Sequence, residues 1–160
     1  MENISTHISY AEATKSAEAV RLGLDNTPGA EARAAMALVA EKCFEPLRAW
    51  HGKPIGITSF FRSQAVNKAV GGASMSAHMQ GEAIDIDADL FNNGITNADV
   101  FHWLRENVDY DQLIWEFGDN DSPAWVHVAH RASGNRKQLL RAVKRVEHGN
   151  MVIKYIPYIP

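Results

Sequence analysis

The chain has 160 residues, 46% of them hydrophobic and 22% charged, with a formal net charge of −3. This is the size of one domain, at roughly 100–200 residues per domain, and the composition excludes disordered and collagen-like classes. The mild negative charge argues against broad electrostatic binding of nucleic acid or of an anionic membrane surface.

No stretch approaches the roughly 18 consecutive apolar residues of a membrane span. The lone Cys43 excludes an internal disulfide and an all-cysteine metal site. Met1-Glu2-Asn3-Ile4-Ser5 carries neither the basic nor the apolar region of a secretory signal. The expectation is one domain over residues 1–160, made in the cytoplasm without a signal peptide and monomeric.

In chain order, Ser9-Tyr10-Ala11-Glu12 matches a capping box. Behind it Ala13, Ala17, Val20 and Leu24 recur at helical spacing, with Gly23 as the stop. Thr27-Pro28 predicts the start of a second helix, whose apolar stripe is Met36, Val39, Cys43, Phe44 and Leu47. Pro46 should kink or end it, and His51-Gly52-Lys53 closes the helical half. Ile55, Ile57 and Ser59 then alternate as a strand, and a short helix is predicted over Gln64–Val70 before Gly71-Gly72. Glu82–Asp87 alternates again, with Ala83, Asp85 and Asp87 opposite Ile84 and Ile86. A helix capped by Thr96 or Asn97 runs to Asn107. Gln112–Phe117 and Ala124–Ala129 form a predicted hairpin. Gln138–Val146 suits either a helix or a twisted strand, and Met151–Tyr155 reads as a last strand. Helices first and short strands afterwards predict an α+β fold.

Of seven histidines, two stand out by context. His78 sits in the small-residue loop Ser76-Ala77-His78-Met79-Gln80-Gly81, which runs into the Glu82–Asp87 strand. His127 shares a strand face with Trp125 and Ala129, and Asp85 lies on a strand whose other face is apolar. Two imidazoles and one carboxylate are a sufficient protein set for a catalytic zinc, with the fourth position left to water. Gly81 and Ala83 would permit close backbone approach around such an ion.

Ser76-x-His78-x-x-Gly81-x-Ala83-x-Asp85 resembles the SxHxxGxAxD signature of zinc D-Ala-D-Ala carboxypeptidases, whose fold is shared with the hedgehog signalling domain. Trp125-Val126-His127-Val128 is similar to that family's third-ligand strand. Ser59-Phe60-Phe61-Arg62-Ser63, Asn67 and Gly71-Gly72 resemble its upstream approach, with Phe60 where glycine is common. Glu12-Ala13-Thr14 and Asp25-Asn26-Thr27-Pro28 resemble the lead-in of phage and bacterial members. The resemblance implies a small antiparallel sheet carrying one zinc ion, packed against N-terminal helices, with His78, Asp85 and His127 as the metal ligands.

A peptidase also needs a base to activate water. Many relatives place a glutamate three residues before the last histidine, and here that position is Ala124. Glu116 is the substitute: if it pairs with Trp125, then Ile114 pairs with His127 and Glu116 shares the face of His127. Glu82 has the parity of Ile84 and points the other way. Asp87 and His130 are the reserve candidates. Arg62 is expected to grip a substrate carboxylate, because a guanidinium offers two parallel donors. Ser76 is expected to help position substrate or the His78 loop. Trp115, Phe117 and Trp125 are candidates for walls of the cleft, and Cys43 reads as packing.

The spacing of seven between His78 and Asp85 disfavours an iron oxygenase, whose first pair is His-x-Asp. No His-Glu-x-x-His of a zincin occurs. The resemblance implies zinc-dependent hydrolysis of peptidoglycan stem peptides, as a D-Ala-D-Ala carboxypeptidase or an endolysin-type endopeptidase. Without a signal peptide, such an enzyme would reach the cell wall after phage-mediated release. The alternative is a non-catalytic, zinc-stabilised binding or virion structural domain.

Overall fold

Ser9 and Ser16 each cap a separate short helix in the computed structural model, which describes residues 2–160. The first, α1, is Tyr10–Ala13, and the second, α2, is Ala17–Leu22. The single helix predicted here is therefore broken at Thr14 and Lys15. The Ser16 hydroxyl accepts the Ala19 N–H at 3.1 Å and starts a new helix. Its Val20 is 85% exposed, so the apolar spacing across this region marks no buried stripe.

The long helix α3, Ala30–Val39, begins two residues later than Thr27-Pro28 predicts, with Gly29 as its N-cap. Asp25 explains the delay: its carboxylate accepts the Thr27 N–H at 3.0 Å and holds the segment in a turn. Pro46 has the expected effect in an unexpected form. One π-helical turn, Ala40–Phe44, takes up the disruption, and the chain continues as α4, Glu45–His51, to the left-handed Gly52.

The strands are β1 (Gly56–Ser59), β2 (Ala83–Asp87), β3 (Gln112–Glu116), β4 (Trp125–Ala129), β5 (Gln138–Glu147) and β6 (Asn150–Pro157). Helix α5, Gln64–Ala69, follows β1, and α6, Asn97–Asn107, follows β2. A capping box between Thr96 and Asp99 fixes the start of α6. The six strands form one sheet in the order β1-β2-β4-β3-β5-β6.

The sheet is mixed, which corrects the antiparallel expectation. β5 runs parallel to β3, from Gln112↔Gln138 to Glu116↔Ala142. After β4 the chain crosses to the far edge of β3 and so must run in the direction of β3. Buried Asp111 secures that crossing by accepting Arg136 N at 3.1 Å, Nε at 2.9 Å and Nη2 at 2.8 Å. This tertiary clamp and the pairing with β3 settle Gln138–Glu147 as a strand, despite its helix-like apolar spacing.

One sheet face presents Ile84, Ile86, Val126, Val128, Leu113 and Trp115, all buried. They pack with Met36, Val39 and Cys43 from the first helical layer and with Phe101 and Leu104 of α6. The other face carries Asp85, His127 and Glu116. Core formation thus fixes which way these polar residues point, because side chains alternate along each strand. Among the described residues, no helix is long and apolar enough to cross a membrane.

Candidate active site

His78 is carried on a 3-10 turn, Ala77–Gln80, between the cap Ser76 and the left-handed Gly81. The Ser76 hydroxyl accepts the His78 N–H at 3.3 Å. Gly81 has φ +71°, and a Cβ there would meet Met36 Cγ at 2.8 Å and collide with the Ala32 carbonyl. The glycine therefore lets α3 approach the loop from behind. Its close contact is with that helix, and packing of the loop on α3 accounts for the glycine.

A bulge in β1 lets Ser59 pair with Asp85, and Phe60 leaves the strand beside the His78 loop. His78 Nδ1 lies 2.7 Å from the Phe60 carbonyl oxygen. A carbonyl only accepts, so Nδ1 carries a hydrogen and Nε2 is the nitrogen turned toward the cluster. That Nε2 is 3.2 Å from Asp85 Oδ2. Asp85 pairs with His127 across β2 and β4, and its Oδ1 is 3.0 Å from His127 Nδ1.

All three residues are buried, and the candidate ligand atoms lie within 4.8 Å of one another. With zinc–ligand bonds of about 2.0–2.2 Å, atoms on one tetrahedral edge stand a little over 3 Å apart. The contacts of Asp85, 3.2 Å through Oδ2 and 3.0 Å through Oδ1, are close to that spacing. The His127 Nε2 atom is buried with no hydrogen-bond partner in the protein. The donor set and its spacing fit a metal ion. Burial raises the Asp85 carboxyl, but attraction to His78 and His127 and hydrogen bonds with both rings outweigh it and hold it well below the ordinary carboxylate range.

Glu116 pairs with Trp125, and Ile114 pairs with His127. This is the register that places Glu116 on the face of His127, diagonally one step along the sheet. Burial pushes its carboxyl up to about 7, and the nearby Asp85 charge adds to that, while His127 and Arg62 oppose it. Arg62 lies on the same side. Its backbone N–H donates to His78 O at 3.2 Å, and its Nη2 donates to Ser76 Oγ at 3.4 Å. Of its five N–H donors only one, on Nη2, is engaged, and Nε is buried without a partner, so donors remain for a ligand.

The reserve bases are engaged elsewhere. Asp87 accepts Asn97 Nδ2 at 3.0 Å and caps the turn that follows β2. Glu82 lies 3.7 Å from Arg131, and His130 is hydrogen-bonded to the Asp109 carbonyl at the strand end. Trp125 is on the site face, with its ring 5.3 Å from that of Phe117. Trp115 is in the core against Phe101, which removes it from the expected walls.

Two contributors are not among the site residues predicted from the sequence, Asn26 standing there only within the Asp25-Asn26-Thr27-Pro28 lead-in. Asn26 accepts Ser63 N–H at 2.8 Å and donates to Phe61 O at 3.2 Å, pinning the segment that presents Arg62. Tyr155 of β6 stands in the row Trp125, Glu116, Ala142, Tyr155 that crosses four strands. Only the fold reveals that row.

A family model described as Peptidase M15 matches residues 6–129. No curated protein matches the chain.

Proposed function

The chain belongs to the peptidase M15 family, a metallopeptidase family, and from that premise we propose that it is a zinc enzyme hydrolysing stem peptides of peptidoglycan. The observation that carries this reading is the placing of Glu116 on the same sheet face as the His78, Asp85 and His127 cluster, diagonal to His127. A base, a metal-ligand set and a free guanidinium donor face one site, as hydrolysis of a peptide bearing a carboxylate requires.

In this reading His78, Asp85 and His127 hold one zinc ion. Zinc bound there would polarise the scissile carbonyl and make water more acidic. Glu116 takes a proton from the attacking water as its oxygen bonds to the carbonyl carbon. Glu116 then returns that proton to the amine nitrogen as the C–N bond breaks. Arg62 pairs with a substrate carboxylate through two donors, and Ser76 holds both the guanidinium and the His78 loop in place. Removal of a terminal D-alanine and cleavage within the stem use the same groups. The substrate is therefore proposed at the level of the stem peptide, acted on in the cell wall.

Mass spectrometry of purified muropeptides after digestion with zinc-loaded protein tests the proposal. The expected result is a product one peptide bond shorter, absent with Glu116→Gln. Intact muropeptides from zinc-loaded wild type would instead favour the non-catalytic, metal-stabilised domain.

A further inference from the structure

The β5–β6 hairpin lies beyond the family-matched segment. β5 pairs with β3 only as far as Ala142, whereas its pairing with β6 continues to Glu147↔Asn150. Residues 143–154 therefore project past the end of β3 as a two-stranded arm, turned at His148 and Gly149, both with positive φ.

The two faces of this arm differ. In register with Glu116 and beyond it, the site face carries the pairs Ala142↔Tyr155, Lys144↔Ile153 and Val146↔Met151. The opposite face interleaves Arg141, Arg145 and Lys154 with Val143 and Val152. Lys144 extends its amine to 5.0 Å from the Phe117 ring centroid, next to Trp125, so the apolar row is continuous with the wall of the site. Tyr155, Ile153 and Met151 are 52%, 53% and 65% exposed. Three adjacent large apolar side chains in water, on the face that holds the catalytic groups, are a binding feature rather than packing.

Ala142 is fully buried, although it sits on the outer side of β3. In its row it is flanked by Glu116 and Tyr155. The phenol accordingly feels the site: burial first, then the charges of Glu116 and Asp85, raise its pKa against the opposing Arg62.

We propose that the hairpin arm forms the outer wall of the peptide cleft and that Tyr155 is a substrate-positioning residue, its ring packing on the bound stem peptide and its hydroxyl bonding the peptide backbone. The occupant is the extended stem peptide, with an uncharged stretch of it lying along Tyr155, Ile153 and Met151. This rests on the peptidase reading above and adds to it the residue that aligns the substrate against Glu116.

The test uses pentapeptide-stem muropeptides with two readouts: Kd for the zinc-loaded Glu116→Gln protein by calorimetry, and KM and kcat for the active protein. Tyr155→Ala is expected to raise Kd and KM about tenfold, the scale of a lost aromatic contact and hydrogen bond, with Tm and zinc content unchanged. Tyr155→Phe keeps the ring and should raise them only about two- to threefold. Ile153→Asp places a charge in the row and should weaken binding with no loss of fold. If Tyr155→Ala and Ile153→Asp both bind and cleave as wild type does, the wall is overturned while the peptidase reading stands. A fall in Tm with unchanged KM makes Tyr155 structural and overturns its positioning role. If the Glu116→Gln protein binds no stem peptide, the substrate reading fails and takes this inference with it.

Discussion

His78 donates through Nδ1 to the carbonyl oxygen of Phe60 at 2.7 Å, and this one contact sets the tautomer that leaves Nε2 facing Asp85. Second partners of this kind orient histidine ligands and raise their basicity. Zinc is expected to bind at one ion per chain and to raise Tm, because binding to the folded state alone stabilises it. His78→Ala and His127→Ala should each lose stoichiometric zinc under mild chelation. Either variant retaining one zinc at wild-type affinity would remove that residue from the ligand set.

Glu116 has a pH signature in the metal-free protein. Its folded pKa of about 7 lies above the ordinary 4.5. The folded state therefore holds a proton more tightly than the unfolded chain. Relative to Glu116→Gln, the metal-free wild type loses stability as pH rises through this window and stays lower above it. The difference in urea-unfolding free energy should be small at pH about 4 and reach on the order of 1–3 kcal/mol near pH 8. A pH-independent difference would place the carboxyl in water. In the zinc-loaded enzyme the same substitution should cost about two or more orders of magnitude in kcat.

Arg62→Lys keeps the charge and loses the planar fork. Cleavage should weaken by about 1–3 kcal/mol in transition-state terms, with Tm nearly unchanged. Equal kcat/KM would return Arg62 to an ordinary role at the Ser76 loop.

The legible parts of this protein are those governed by local rules. The alternation in Glu82–Asp87 and the polar turn between Gln112–Phe117 and Ala124–Ala129 yield the strands and their hairpin, while the register that puts Glu116 on the face of His127 is fixed only in the fold. The cap at Thr96 is likewise local. Reading failed where distant contacts decide. Asp111 holds β5 beside β3 across 25 residues of chain, whereas the delay of α3 is local, with Asp25 turning the segment at Thr27 where Thr27-Pro28 alone predicts a helix start. Tyr155 reaches the site only through that parallel pairing, so alternation in Met151–Tyr155 could suggest a strand but not its neighbour. Gly81 was legible as a special position, yet its reason, the approach of α3, exists only in the folded protein.

Asp111 is the test of that long-range clamp. It is 3% exposed and accepts three hydrogen bonds from Arg136, which is itself half-exposed. The Arg136 guanidinium, chiefly by hydrogen bonding, lowers the Asp111 pKa despite burial. The contribution is present above the unfolded pKa of about 4 and is lost as pH falls through the lower folded value. Asp111→Asn should destabilise by about 1–3 kcal/mol at pH 7, less than a fully buried pair because Arg136 remains solvated. The penalty should shrink by pH about 3. A constant penalty across that range would mean that shape rather than charge holds the crossing.

Gly81→Ala links the fold to the site most directly. At φ +71° an added methyl is strained in itself, and here it also meets Met36 Cγ and the Ala32 carbonyl of α3. Neither neighbour yields easily, since Met36 is fully buried and Ala32 O belongs to the helix backbone. The variant should lose about 2 kcal/mol or more, adding backbone strain to overpacking. Relief can come only if the loop moves off the helix, and that carries His78 with it. Zinc affinity should therefore fall together with stability, by about tenfold or more. Gly52, also left-handed but with open space around its Cβ position, supplies the control. Gly52→Ala should be destabilised by backbone strain alone, about 1 kcal/mol, with zinc affinity unchanged. Equal effects of both substitutions on zinc would show that the contact between α3 and Gly81 does not position His78.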